Sequence, residues 1–451
     1  MKYLKLLFWI GLLALVSLFK RGKGMRSLEY YLIRNINAIG LFRISISSIQ
    51  YKYPNIFIFD LLKINTKLGL SFEFHQLNVR GFFLLSLQAN VKKVLLYNNE
   101  IVDIHLTNCR SILRIRPTFM GVKVVIVNQI MNSKIVATIT IIKNVIAKTN
   151  TIQFHCSPFS IHHLISMFSQ LSFPTLRTFR FAGKKELELE FIYNMRKPLE
   201  YRFRFALKGK RKFELIDPFG FEFDFLQNNK LQTIIDNTSN VKSFLFDKEN
   251  KDFVSINDMP DILLKTIITT EDPNFLFHSG FDVDSFGFAL ATNIAEKKFS
   301  RGGSTISMQL VRNLYLHHSK TFSRKIEEII LTWIIEDQLH IPKDKILEIY
   351  LNRIEMGPAI YGIKEAAFFY FNKNVEDLTL LDSLVLSYII PRPMHFLPAL
   401  VKLSPVLKKN LKAHITKYAA LMRHRDLITK QEFDGLGNNI HFATKFGKFD
   451  L

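Results

Sequence analysis

The stretch Glu186-Leu187-Glu188-Leu189-Glu190-Phe191 alternates carboxylates with apolar side chains at every step. Successive side chains of a strand point to opposite faces, so a period of two gathers the apolar residues on one face and the charges on the other. The same alternation follows in Tyr201-Arg202-Phe203-Arg204-Phe205 and precedes it in Phe42-Arg43-Ile44-Ser45-Ile46 and Leu70-Ser71-Phe72-Glu73-Phe74; Phe219 to Phe225 closes the series. A β-rich, mostly antiparallel domain is therefore expected over 27–226, with charged outer faces. Near 160–172 the run Ile161-His162-His163-Leu164-Ile165-Ser166-Met167-Phe168 breaks the alternation and predicts a helical insert. Its two histidines read as surface or packing residues rather than metal ligands.

From Gln227 the chain turns polar, and 227–249 reads as a linker. Beyond 250 the apolar spacing becomes helical: residues 326, 329, 330, 333 and 334 share one face of a helix over Phe322 to Leu339. Lys343 to Leu351 and Leu380 to Ile390 follow the same rule. The expected fold class is α+β, with a β-rich N-terminal domain, a mainly α-helical domain over 250–435 and a tail over 436–451.

A chain of 451 residues, 48% apolar and with 42 Phe, has material for two cores, which excludes disorder as the default. Its formal charge of +22 attracts anions, and nucleic acid, anionic lipid and pyrophosphate all fit that field. Cys109 and Cys156 are not part of any Cys/His cluster with zinc spacing. Leu6 to Phe19 carries no charge, follows Lys2 and Lys5 and lacks a small-x-small cleavage site, so 1–26 reads as a retained signal anchor. Lys20, Arg21, Lys23 and Arg26 place more positive charge after that segment than before it, which by the positive-inside rule favours a cytoplasmic body.

Three segments carry candidate chemistry. Thr270-Glu271-Asp272-Pro273-Asn274-Phe275-Leu276-Phe277-His278 reads locally as a helix start capped by Asp272 with Pro273 in the first turn. That leaves Glu271, Phe275 and His278 unexplained; a glutamate partly desolvated beside apolar groups has a raised pKa and suits proton abstraction from a hydroxyl. In Arg301-Gly302-Gly303-Ser304-Thr305-Ile306-Ser307-Met308-Gln309-Leu310-Val311-Arg312-Asn313, Ser304 or Thr305 caps a helix on which Gln309, Arg312 and Asn313 share a face, an arrangement suited to an anionic or sugar ligand. Ser323-Arg324-Lys325-Ile326-Glu327-Glu328 opens a long helix and reads either as a solvated ion-pair face or as a grip on a diphosphate.

In this order the three segments resemble the first signature motifs of the family 51 peptidoglycan glycosyltransferases. The similarity continues through Lys345 to Gly357, Tyr361 to Ala367, Tyr370-Phe371-Asn372-Lys373 and Leu378-Thr379-Leu380, and is closest to the monofunctional biosynthetic transglycosylases. The resemblance implies an α-helical, lysozyme-like catalytic domain in a membrane-anchored enzyme on the extracytoplasmic side of the bacterial plasma membrane. It implies Glu271 as the general base on the 4-hydroxyl of the N-acetylglucosamine of lipid II and Glu328 as a second carboxylate near the departing undecaprenyl pyrophosphate. Arg312, Arg324 and Lys325 match positions that hold the diphosphate, while Asp272, Phe275, His278, Thr305, Gln309 and Asn313 shape the cleft. A divalent cation, magnesium or manganese, can share the pyrophosphate charge; no organic cofactor is expected. The implied partners are lipid II, the nascent glycan chain and membrane lipid, with cell-wall synthesis proteins as candidates for the β-rich region and no nucleic acid.

The sequence departs from the family at Met308, where glutamine is usual, at Arg312, where lysine is usual, and at Asn372, where glycine is usual. Ser-x-x-Lys occurs at Ser17–Lys20 and Ser239–Lys242 without a following Lys-Thr-Gly, so no transpeptidase is expected. Two other readings stay open: a lysozyme-like glycan-cleaving enzyme, and a non-catalytic membrane scaffold with a degenerate transglycosylase domain.

Overall fold

The computed structural model describes residue 34 and residues 42–450, apart from 47–48, 53–55, 67–69, 83–85, 99–100, 131–134, 169–171, 210–212, 218–229, 235–240, 246–249, 297, 299–301, 317–321, 438, 444–445 and 447–448. The expected anchor at 1–26, Arg301 and the alternating run at 219–225 lie outside the described residues. Among the described residues no single helix is long and apolar enough to cross a membrane.

The strands are β1 (Phe42–Ile46), β2 (Ile49–Lys52), β3 (Ile56–Thr66), β4 (Leu70–Phe82), β5 (Ser86–Asn98), β6 (Ile101–Thr118), β7 (Gly121–Ile130), β8 (Ile135–Asn144), β9 (Thr149–Phe159), β10 (Arg180–Ala182), β11 (Lys185–Asn194), β12 (Tyr201–Lys208), β13 (Glu214–Asp217), β14 (Lys230–Ile234) and β15 (Val241–Leu245). The helices are α1 (Ile161–Ser166), α2 (Asp261–Glu271), α3 (Val283–Glu296), α4 (Ile306–Tyr315), α5 (Phe322–Trp333), α6 (Lys343–Arg353), α7 (Gly362–Phe371), α8 (Leu380–Ile389), α9 (Pro393–Val401), α10 (Pro405–His424) and α11 (Lys430–Asp434). Mixed α and β content with a helical C-terminal region is what the two periodicities predict. The chain divides into two compact units, neither continuous in sequence: residues 1–219, 283–302 and 320–327 form one, and 220–282, 303–319 and 328–451 the other.

The first unit is built on an eleven-stranded sheet in the order β1-β3-β4-β5-β6-β7-β8-β9-β11-β12, with β2 beside β3. Each neighbouring pair is antiparallel. The register sorts the alternation onto two faces. Glu190 lies opposite Gln153 and Arg204, and Glu188 opposite His155. That face is polar and self-paired: Gln153 Nε2 donates to Glu190 at 2.9 Å, Lys208 pairs with Glu188 at 2.5 Å, and His155 pairs with Glu186. Leu187, Leu189 and Phe191 point the other way, opposite Cys156, Phe154 and Ile152. There Ile135, Cys156 and Phe159 form a core with Leu164 and Met167 packed against it.

The expected insert at 160–172 is realised as α1, whose N-cap Ser160 accepts the His163 N–H at 3.2 Å. His162 accepts the Phe181 N–H through Nε2 at 3.4 Å, a packing role. Both cysteines are free and buried, and burial pushes the Cys109 thiol up to about 11. Helix α3 groups with this sheet rather than with the other helices. A Cβ at Gly287 would lie 2.7 Å from Phe203 Cβ, so only glycine lets the helix backbone rest on β12, where Phe286 meets Phe203 at 5.5 Å.

The second unit is mainly helical, around Leu263, Ile267, Leu331, Ile349, Tyr350, Leu351, Ile363, Leu384 and Leu411, each fully buried. Helix α5 ends at Trp333 and gives way to a π turn over Ile334–Gln338, which shortens the helix expected as far as Leu339. Within 227–249, read as a linker, β14 and β15 pair as an antiparallel hairpin. Asn372 closes α7 at φ 55°, ψ 43°, the left-handed conformation that glycine and asparagine tolerate best. The usual glycine and the asparagine found here meet the same backbone demand.

Candidate active site around Glu271

Pro273 determines where the site begins. A residue before proline is steered away from helical angles, and Asp272 sits at φ −154°, ψ 77°. Helix α2 therefore stops at Glu271, leaving that carboxylate at its C-terminal end. The helix start expected at Asp272-Pro273 is replaced by turns, with Phe275 N–H donating to Asp272 O at 2.9 Å and Phe277 N–H to Asn274 O at 2.8 Å.

Asp272 caps a different helix. Its Oδ2 accepts the Ile306 N–H at 3.0 Å, at the start of α4, and His278 Nε2 reaches both its oxygens at 3.1 and 3.0 Å. A buried carboxylate at a helix N-terminus satisfies an orphan N–H and faces the positive end of the helix dipole. Thr305, rather than Ser304, is the local N-cap: its hydroxyl accepts the Met308 N–H at 3.2 Å and donates to Gly280 O at 2.7 Å. These bonds tie the Glu271 segment to the first turn of α4, which carries Gln309.

Gln309 Nε2 donates to Glu271 Oε2 at 3.1 Å, and Tyr350 OH donates to Gln309 Oε1 at 3.1 Å. Tyr350 is fully buried. Its hydroxyl fixes the amide with oxygen inward, which leaves the NH2 for the carboxylate. Glu271 is half-buried, and burial is the largest influence on it, raising its pKa from 4.5 to about 7. The Gln309 hydrogen bond and the charges of Arg392 and Arg312 pull it down, and Asp272 pushes it up.

The expected residues divide clearly. Glu271 bonds to Gln309, Asp272 to His278 and the Ile306 N–H, and Thr305 to Gly280 O and the Met308 N–H. These three sets of bonds form a network that meets at the start of α4, and Arg312 acts on Glu271 through its charge. Arg312 and Asn313 share the half-buried face of α4 with Gln309, while Met308, Leu310 and Val311 are buried. Phe275 is 1% exposed and lies beneath the network, edge-on to His278 with the Lys343 ammonium 4.5 Å from its ring centre. Glu328 is fully enclosed in the same unit. Arg324 and Lys325 are half-buried in the first turn of α5, among residues that group with the sheet. Tyr350 and Arg392 are additions: Tyr350 sits in an apolar helix pattern that reads as plain core, and Arg392 lies between two prolines with no periodic signal.

Met308, the departure from glutamine, is 1% exposed and faces the core. An amide at that position needs buried partners, and desolvating it without them costs about 1–3 kcal/mol. Met308→Gln is therefore expected to lower the thermal midpoint by several degrees without raising activity, as a melt paired with a glycan-synthesis assay would measure.

Among the described residues no three histidine or carboxylate groups converge at Glu271; the one such trio, His155, Glu186 and Glu188, lies on the polar sheet face and is engaged in its own ion pairs. Both Asp272 oxygens are occupied by His278 and Ile306. The donor set does not fit a resident ion at Glu271.

Residues 237–417 match the family model described as transglycosylase. Penicillin-binding protein 1A of Neisseria gonorrhoeae is 35% identical over 207 residues, which are 46% of this chain and 25% of that protein. Penicillin-binding protein 1F of Bacillus subtilis (strain 168) is 41% identical over 152 residues, 34% of this chain and 21% of that protein. The chain thus spans a quarter or less of these curated relatives.

Proposed function

We propose that this chain, whose residues 237–417 carry a transglycosylase domain, polymerises peptidoglycan glycan strands. The observation that carries this reading is Glu271: a carboxylate with a pKa of about 7, held by a buried-tyrosine-anchored glutamine and flanked by the charges of Arg312 and Arg392. Its ionised form takes the proton from the 4-hydroxyl of the acceptor N-acetylglucosamine of lipid II. The freed oxygen attacks the anomeric carbon of the lipid-linked donor chain, and undecaprenyl pyrophosphate departs with the electron pair. Charge develops on that diphosphate, and fixed cations such as Arg312 stabilise it directly. Arg324 and Lys325 match further cationic positions in the family. A divalent cation sharing this charge would arrive with the diphosphate. The catalytic region takes a lysozyme-like fold in this reading, and residues 1–26 anchor the enzyme so that it faces the extracytoplasmic side.

A glycan-cleaving reading uses the same carboxyl protonated, as an acid. Incubating the protein with lipid II separates the two. Long glycan products support polymerisation; activity confined to finished glycan overturns it.

The pKa also sets a pH dependence. Below about 7 the base is protonated, so kcat/KM is expected to rise roughly tenfold per pH unit and level off above that value. An initial-rate profile between pH 5 and 9, the range bracketing that pKa, checks it. A profile flat across that range removes Glu271 as the base.

A further inference from the structure

The turns at the ends of two neighbouring hairpins carry large apolar side chains in water. Phe119 is 96% exposed, Met120 50%, Val145 59% and Ile146 65%. They form one patch, since the Val145 N–H donates to Met120 O at 2.8 Å and the β6–β7 and β8–β9 turns abut. Gly121 permits the contact: a Cβ there would lie 1.9 Å from Lys143 O.

One step below the patch the strands carry only positive charge. Arg116 lies directly opposite Lys123, and Lys143 and Lys148 are exposed beside the second turn. Like charges facing each other across a ladder are destabilising unless an anion offsets them. None is supplied by the neighbouring sequence: no aspartate or glutamate occurs between Asp103 and Glu186. Arg116, Lys123, Lys143 and Lys148 have no ion-pair partner among the described residues.

We infer that this end of the sheet docks on an anionic lipid bilayer, with Phe119, Met120, Val145 and Ile146 in the headgroup–acyl boundary and the four cations at lipid phosphates. An apolar tip above a ring of single-sign charge is the layering of a membrane interface. A protein partner of mixed charge would meet four unpaired cations here.

The full chain tests this despite its apolar N-terminus, because its tryptophans number two, Trp9 and Trp333. In a Trp9→Phe background, Phe119→Trp places a reporter on an exposed site that the fold does not need. The protein is reconstituted in vesicles of phosphatidylglycerol and phosphatidylcholine with brominated acyl chains. The emission added by Phe119→Trp is expected to be quenched about twofold or more, because bromine sits at the depth the side chain reaches. Replacing Arg116, Lys123, Lys143 and Lys148 together by Gln, or using phosphatidylcholine alone, is expected to abolish most of that quenching. A reporter reached by aqueous iodide but not by brominated lipid overturns the inference. So does one reached by neither quencher in the vesicles, the result expected if a second copy or another protein covers the patch.

Discussion

Glycan-strand synthesis by the Glu271→Gln protein is expected to fall about 10²–10⁴-fold, the usual contribution of a positioned general base. The substitution preserves shape and keeps an oxygen for Gln309 to donate to, so packing changes little. What it removes is the capacity to take a proton. Ionising Glu271 works against its surroundings. Its folded pKa, about 7, lies above its ordinary 4.5, so the fold favours the protonated form. Its contribution to stability is therefore fully present below about 4.5 and is lost as pH rises through 7, on the order of 3 kcal/mol. Glu327 adds to the same trend: burial raises its pKa to about 7 despite the N–H groups of Thr175 and Leu176 at 3.1 and 3.3 Å. Glu271→Gln should therefore melt no lower than the parent at alkaline pH while losing its activity. The two readouts are the thermal midpoint and the yield of glycan chains from lipid II. Parent-level synthesis by the variant would remove Glu271 as the base, whereas no synthesis by either protein would favour a scaffold over an enzyme.

Asp272→Ala is expected to destabilise the second unit by about 3 kcal/mol, because two donors lose their partner inside the core. The Ile306 N–H and His278 Nε2 both reach the Asp272 carboxylate, and the side chain is 3% exposed. Activity should fall with stability, since α4 carries Gln309 and Arg312 and its first turn would lose an anchor. Asp272→Asn retains an acceptor for one donor and should recover part of both losses. Denaturant unfolding of the three proteins measures the ranking. Equal stability of parent and Asp272→Ala would contradict the cap assigned to this carboxylate.

The fold was legible wherever one periodicity dominated. Glu186 to Phe191 and Tyr201 to Phe205 alternate because one face meets water and the other a core, and they pair with each other in the sheet. The helices at Lys343 and Leu380 follow from apolar spacing in the same way. Long-range choices left no such trace. The local pattern of Val283–Glu296 is helical, but nothing in it tells which unit it joins; Gly287 acquires its meaning only beside Phe203. The site divides similarly. Motif order pointed to Glu271, Gln309 and Arg312. That Asp272 caps a helix beginning 34 residues later depends on the turn Pro273 enforces, whereas a local reading made it the cap of a helix starting at Pro273. Tyr350 was hidden because it is core along most of its length and functional only at its hydroxyl.

The interleaving of the two units also bears on how the chain matures. Segments 283–302 and 320–327 complete the sheet unit, yet 220–282 and 303–319 on either side belong to the helical one. During vectorial synthesis the strands can pair early, because a meander closes by short-range hairpins. The layer over β12 must wait until α3 has emerged. The helical unit cannot close until its C-terminal helices follow. Cutting the gene at any single point would strand part of one unit on the other fragment. The two halves are therefore expected to be inherited, expressed and lost together, unlike modules joined by a simple tether.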